Sequence, residues 1–213
     1  MRLKTSLRSI SLGAATAAFL AAGAAWALPP NSTSTTASAA SATAWLAGGT
    51  ARLDHQLDSQ TAQKGQRVEA KLDHNVKTAD GTELPGGTQL EGTVAAVTAS
   101  QNGGPGTISL RFDKAELKDG KTVPVKVTII GAYPNDENQL AVYGEQTMGP
   151  APRHVAAKDR FDQEPGMLSH IAMMSRVSGH NSGTFTNKDG NVKLQRGTFL
   201  QVGIAPRAAT AGA

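Results

Sequence analysis

From Arg52 to Ile204 the chain is built of short runs rich in Val, Ile, Leu and Thr, separated by Gly, Asn and Asp. In several runs the apolar residues recur at every second position. Within 67–76, Val68, Ala70 and Leu72 fall on one face and Glu69, Lys71 and Asp73 on the other; within 107–117, Ile108, Leu110 and Phe112 oppose Ser109, Arg111 and Asp113. A period of two sends successive side chains to opposite faces of a strand, so each strand covers a core on one side and meets solvent on the other. This pattern predicts strands over 52–57, 67–76, 88–98, 107–117, 122–133, 191–194 and 198–204. Asp80-Gly81, Asp119-Gly120 and Asp189-Gly190 stand between such runs, where tight hairpins need positive φ. The stretch 101–106 (QNGGPG) reads as a longer hairpin loop. The fold class is therefore mainly β, an antiparallel meander closed into a small β-barrel or folded into a sandwich.

Between 134 and 183 the alternation stops and polar residues, Gly and Pro take over, which marks an irregular insertion in the β domain. Met167, Leu168, Ile171 and Met174 follow the i, i+1, i+4, i+7 spacing of a helical face, and they predict one short helix over about 166–177. That helix is expected to cap an open end of the β structure. A single domain over 45–205 is long enough to bury one substantial core.

Ahead of this domain lies a leader. Arg2, Lys4 and Arg8 open it, an apolar stretch runs from Ile10 to Ala24, and Ala25-Trp26-Ala27 precedes Leu28-Pro29-Pro30. This three-part layout predicts a signal peptide over 1–27, cleaved after Ala27 rather than kept as an anchor, because its Ala-rich stretch is a weak membrane inserter. With no twin arginine and no lipidated cysteine, the expected location is periplasmic or secreted, without stable membrane insertion after cleavage. Residues 28–44, almost entirely Ser, Thr and Ala, read as a flexible linker, and 206–213 as a disordered tail.

The leader also explains the charge. Without Arg2, Lys4 and Arg8, the 21 basic side chains fall to 18 against 17 acidic ones. A nearly neutral chain without Lys/Arg clusters does not point to nucleic acid as partner. The absence of cysteine excludes disulfides, thiol catalysis and Cys-ligated zinc, so an exported domain of this kind is held by its core alone.

Familiar catalytic spacings are missing: there is no Gly-x-Ser-x-Gly elbow, His-Glu-x-x-His helix, phosphate-binding Gly-rich loop or Ser-x-x-Lys. Asp73, Glu91, Asp113 and Glu116 sit in or at the edges of alternating strands, where a solvated face is the default. No catalytic or cofactor-binding residue is assigned, and no cofactor is expected. His55 and His74, in a repeated Leu-Asp-His, receive no role. One local concentration points to metal chemistry. Met148, Met167, Met173, Met174, His154, His170 and His180 all fall in the insertion, and thioether with imidazole favours copper(I). His170, Met173 and Met174 would share a helical face and form the candidate site. Core filling is the simpler reading of Met on an amphipathic helix.

Residues 53–133 resemble an uncharacterised family of short, β-rich secreted proteins of acidobacteria. The likeness rests on LDSQTAQKGQRVEAKL (57–72), DGTELPGGTQLEGTV (80–94), LRFDKAELKDGKTVPVKVTI (110–129) and NVKLQRGTFLQVGI (191–204). A more distant resemblance is to the β-barrel domain of the type IV secretion core-complex subunit, whose Pro-x-Gly-x-x-Leu-x-Gly order is echoed by Pro85, Gly87, Leu90 and Gly92. It implies a barrel-like fold with a final strand after an inserted element. The insertion is too short for that subunit's two-helix antenna, and fold likeness does not carry function.

These readings together lead to a non-enzymatic exported cell-envelope β module that binds another envelope protein. The alternatives are a periplasmic hydrolase with a dispersed active site and a Met/His copper-binding module. A hydrolase would show paired carboxylates in a cleft, or a Ser-His pair.

Overall fold

The computed structural model describes residues 46–135, 154–155 and 159–207. The leader, the linker, Met148 and residues 208–213 of the tail lie outside them. The described residues form strands β1 (Leu46–Leu53), β2 (Leu57–Asp58), β3 (Arg67–Leu72), β4 (Val76–Lys77), β5 (Glu83–Leu84), β6 (Gln89–Thr98), β7 (Gly106–Glu116), β8 (Thr122–Tyr133), β9 (His154–Val155), β10 (Arg160–Leu168), β11 (Ile171–Arg176), β12 (Gly183–Asn187), β13 (Lys193–Leu194) and β14 (Phe199–Pro206). The sheet runs β7-β6-β3-β1-β14-β8, and β8 pairs back onto β7, which closes a six-stranded antiparallel barrel. Of the two architectures compatible with the alternation, the barrel is the one formed. From β7 the sheet also branches outward through β12 and β11 to β10.

The alternating residues supply the core. Leu53, Leu72, Leu90, Leu110, Ile129, Leu200 and Ile204 are fully buried. Two short ladders, β2–β13 and β4–β5, add Leu57, Leu194, Val76 and Leu84 to the same cluster. One ladder follows the end of β1 and the other the end of the antiparallel β3, so they lie at opposite ends of the barrel. A small barrel filled in this way is a packed core, not a container. Outside it, Arg67 pairs with Glu69 and Glu91, and Arg52 with Asp73. Apolar inside and charged outside is the reverse of a barrel built to face lipid.

Two of the Asp-Gly turns act as expected. Gly81 (φ 86°) turns β4 into β5, and Gly120 (φ 79°) turns β7 into β8. Asp189-Gly190 is a turn whose flanking strands pair elsewhere, β12 with β7 and β13 with β2. The first strand begins at Leu46 rather than Arg52, through Ala47, Gly48 and Gly49. Small residues are required there: a Cβ on Gly49 would come within 2.7 Å of Val76 Cγ2, and one on Gly203 opposite Gly48 would meet Leu46. Pro206, assigned to the tail, ends β14.

The predicted helix over 166–177 is not formed. Met167 and Leu168 end β10, Ser169 and His170 make the turn with His170 at φ 60°, and Ile171 and Met174 belong to β11. The helical spacing joined residues of two strands across a turn. In β11 the pattern that governs burial is again a period of two, with Ile171, Met173 and Ser175 buried and Met174 and Arg176 exposed.

Candidate functional site

The asymmetric feature of the barrel is the seam between β7 and β8. One edge of β7 follows β6, while the other is divided: residues 106–110 pair with β12, and 114–116 pair with 122–124 of β8. Among the described residues, no strand ladder covers 111–112 on that side. The cause is a bulge. Lys114 lies opposite Glu91 and Phe112 opposite Gly92, which leaves Asp113 as the extra residue. A bulge bends its strand and ends regular pairing, and here it turns β7 off β8.

Ser182 bridges the far end of this split. Its hydroxyl accepts the Phe112 N–H (2.9 Å), its N–H donates to the Leu110 carbonyl (2.7 Å), and its carbonyl accepts the Ile129 N–H (2.8 Å). Between this bridge and the Lys114–Pro124 pair lies a cleft of about 340 Å³. Residues 111–113 and 125–127 form its long sides, with Ser178 to His180 and Pro206-Arg207 around the rim.

Cations dominate the lining. Arg111, Lys126 and Arg207 line it with one carboxylate, Asp113, and the His180 imidazole is at the rim. That carboxylate already accepts from Arg111 Nη2 at 2.9 Å. Among the described residues, neither Lys126 nor Arg207 forms an ion pair with a carboxylate. The cleft therefore offers unneutralised positive charge beside a strand edge. The charge suits an anionic ligand, while the edge itself is closed, with Val125 and Val127 buried.

Other chemical groups are placed differently. Met173 is buried and Met174 is exposed on the opposite face of β11, and His170 stands in the turn before them. The shared face of the three candidate metal ligands is thus not formed. His154 pairs through its backbone with Ala47 of β1, and His180 lines the seam. Among the described residues no group of three His, Asp or Glu side chains is placed to hold a metal ion. Glu69, Glu91 and Glu116 form a row on the outer face of β3, β6 and β7. Gln89 donates to Asp54 and Glu69 beside it. A hydrogen bond and charge repulsion, both from Glu91, hold the Glu116 carboxyl above its ordinary value of 4.5. This row lies on a sheet surface and not in the cleft. Asp73 is held by Arg52, and His55 lies 4.0 Å from Glu69.

The cleft residues come from separate strands and a turn between 111 and 207, and no spacing in the sequence joins them. The one local sign is the placement of Arg111 and Lys126 at outward positions of strands that close the barrel.

No protein-family model matches the chain, and no curated protein matches it. Among solved structures, ComB10 of the Com type IV secretion system of Helicobacter pylori aligns over 76% of this chain and 85% of that one, at 10% identity and a TM-score of 0.32. The chain thus bears a distant resemblance to a type IV secretion subunit, and nothing about its function follows from that likeness.

Proposed function

We propose that the protein is a non-enzymatic β module of the bacterial cell envelope, exported by its leader, that binds another envelope protein at the seam between β7 and β8. The observation that carries this reading is the cleft itself, where Lys126 and Arg207 stand beside the Arg111 that engages the single carboxylate of Asp113. The barrel interior is filled by its own side chains, so ligand contact falls to the outside. The Ser182 hydroxyl is buried and accepts the Phe112 N–H, and Asp113 accepts from Arg111, so cation-lined binding is the reading the cleft supports best. Export is supported by the charged start, apolar stretch and Ala-x-Ala end of residues 1–27.

The test is crosslinking in the intact envelope with the wild-type chain and with a Lys126→Glu/Arg207→Glu double variant. A defined partner band that the double variant loses, with unchanged thermal melting, is the expected result. Identical crosslinks from both proteins would remove the cleft from the account, and no crosslink from either would remove the partner. N-terminal sequencing of the exported protein is expected to begin at Leu28.

A further inference from the structure

We infer that Asn102, at the tip of the β6–β7 hairpin, is a site of spontaneous covalent modification: the backbone nitrogen of Gly103 displaces its side-chain amide, and the chain ages there into aspartate and isoaspartate. The site lies away from the seam and does not rest on the binding reading.

The sequence holds one Asn-Gly pair, Asn102-Gly103, within QNGGPG. A residue without Cβ leaves its own nitrogen unshielded, so glycine after asparagine gives that nitrogen the freest approach to the amide carbon. The fold keeps the approach open. Asn102 (φ 52°) and Gly103 (φ 75°) are the central residues of a turn closed by the Gly104 N–H donating to the Gln101 carbonyl at 2.9 Å. Positive φ at both is the type I′ geometry that Asn-Gly favours. Gln101, Asn102 and Gly103 are exposed, and a Cβ on Gly103 would meet nothing within 4 Å. The base of the loop is fixed by Ser100, whose N–H donates to Asn191 Oδ1 (2.8 Å) and whose hydroxyl donates to the Gly104 carbonyl (2.6 Å). The tip can therefore open at 101–103 while both strands stay paired.

The other described asparagines are tied down. Asn75 Oδ1 accepts the Gly86 N–H, Asn135 Nδ2 donates to the Arg196 carbonyl, and Asn187 spans the Asn191 carbonyl and the Asp189 N–H. Asn191 Oδ1 accepts from Ser59 and Ser100. Asn181 precedes Ser182, whose N–H is committed to the Leu110 carbonyl at 2.7 Å. Among the described residues neither the Asn102 side chain nor the Gly103 N–H has such a partner. The chemistry follows from that freedom. The Gly103 nitrogen, losing its proton, attacks Cγ of Asn102; the Cγ–Nδ2 bond breaks, ammonia leaves with the proton, and a five-membered succinimide closes. Water then adds to one of the two ring carbonyls. Opening at Cγ returns the ordinary backbone as aspartate, and opening at the main-chain carbonyl carries the backbone through Cβ and Cγ as isoaspartate. Each event adds one negative charge, and isoaspartate also adds one carbon to the backbone of the turn.

Peptide mapping by mass spectrometry tests this on the exported protein, held folded at physiological temperature in neutral and in mildly alkaline buffer. The expected result is conversion of Asn102 at least tenfold faster than of Asn75, Asn181, Asn187 or Asn191, with isoaspartate in excess of aspartate. The rate should rise in the alkaline buffer, because the attacking nitrogen must lose its proton. In the isoaspartate form the Gly104 amide should exchange its hydrogen faster, since the lengthened backbone no longer closes the Gly104–Gln101 bond, and the thermal midpoint should stay where it was. Asn102→Gly keeps the positive φ and should yield no acidic form at this loop. An intact Asn102 after an incubation that converts a free peptide of the same sequence would overturn the inference. So would conversion of another asparagine at an equal rate, aspartate without isoaspartate, or an equal yield of acidic protein from Asn102→Gly.

Discussion

Gly92 stands opposite Phe112 at the step where the register of β6 and β7 slips by one residue. A Cβ there would run into the Arg111 carbonyl and come within 2.8 Å of Phe112 Cα, both of them backbone. Neither can swing aside, so the absence of a side chain is what lets the bulge form. Gly92→Ala is expected to cost about 1–3 kcal/mol, the range for overpacking, measured as a lower urea midpoint. The carboxylate row supplies a pH-dependent counterpart. Glu116 is held above its ordinary 4.5 by its hydrogen bond to Glu91 and by their repulsion. A raised folded-state value means that the folded protein holds this proton more tightly than the unfolded chain does. The favourable contribution is complete below 4.5 and is lost as pH rises through the folded value. Glu116→Gln keeps the neutral form at every pH. Its melting temperature should exceed wild type at neutral pH, and the gain should shrink as the solution is acidified.

The elements show how the barrel manages the edge of β8 beyond Ser182. There β10 and β11 supply side chains in place of a ladder. Gln163 accepts the Ala132 N–H at 2.7 Å and donates to the Ala132 carbonyl at 2.6 Å, and Ser175 donates to the Ile129 carbonyl. One amide side chain thus imitates a paired strand residue. Gln163→Ala strips both bonds and is expected to cost about 1–3 kcal/mol, the penalty for leaving such groups unmet. Amide hydrogen exchange at Ala132 should quicken more than at Gly203, whose partner Thr128 lies in the retained β8–β14 ladder. The same polar bonds explain what was legible. Val68, Ala70 and Leu72 face the apolar interior, so their alternation announces the strand. In β10 and β11 the residues turned to β8 include Gln163 and Ser175, which serve its backbone and not the hydrophobic core. Apolar alternation in β11 is limited to Ile171 and Met173, too short to announce a strand, and Met167, Leu168, Ile171 and Met174 imitate a helix by chance across the Ser169-His170 turn. The cleft was hidden for another reason. It exists only where β7 bends at Asp113, and the bend depends on how Gly92 meets Phe112 in another strand.

At the scale of the molecule, closure depends on the two strands furthest apart in sequence. β1 and β14 pair from Ala47 opposite Ile204 to Arg52 opposite Phe199. Without that ladder β1 and β14 would each lose a partner, and the barrel that buries Leu200, Val202 and Ile204 would open. A barrel closed this late in the sequence carries a large loop-closure cost, because nothing local holds the two strands together. A covalent link across them should therefore stabilise the fold through the unfolded chain. Thr50 lies opposite Gln201. The Leu53 N–H donates to the Thr198 carbonyl, so by alternation the even-numbered residues of β14 turn their peptide groups to β1. Thr50 and Gln201 then form a pair without mutual hydrogen bonds, the kind with the closer Cα approach. Both side chains are half-buried on the outer face, so a cross-link there leaves the core untouched. The chain has no cysteine to compete for pairing. Thr50→Cys/Gln201→Cys is expected, once oxidised, to gain about 2–4 kcal/mol, seen as a higher urea midpoint that reverts on reduction. If the oxidised and reduced forms unfold together, closure is not what limits this barrel, and its stability resides in the β3–β6–β7 meander instead.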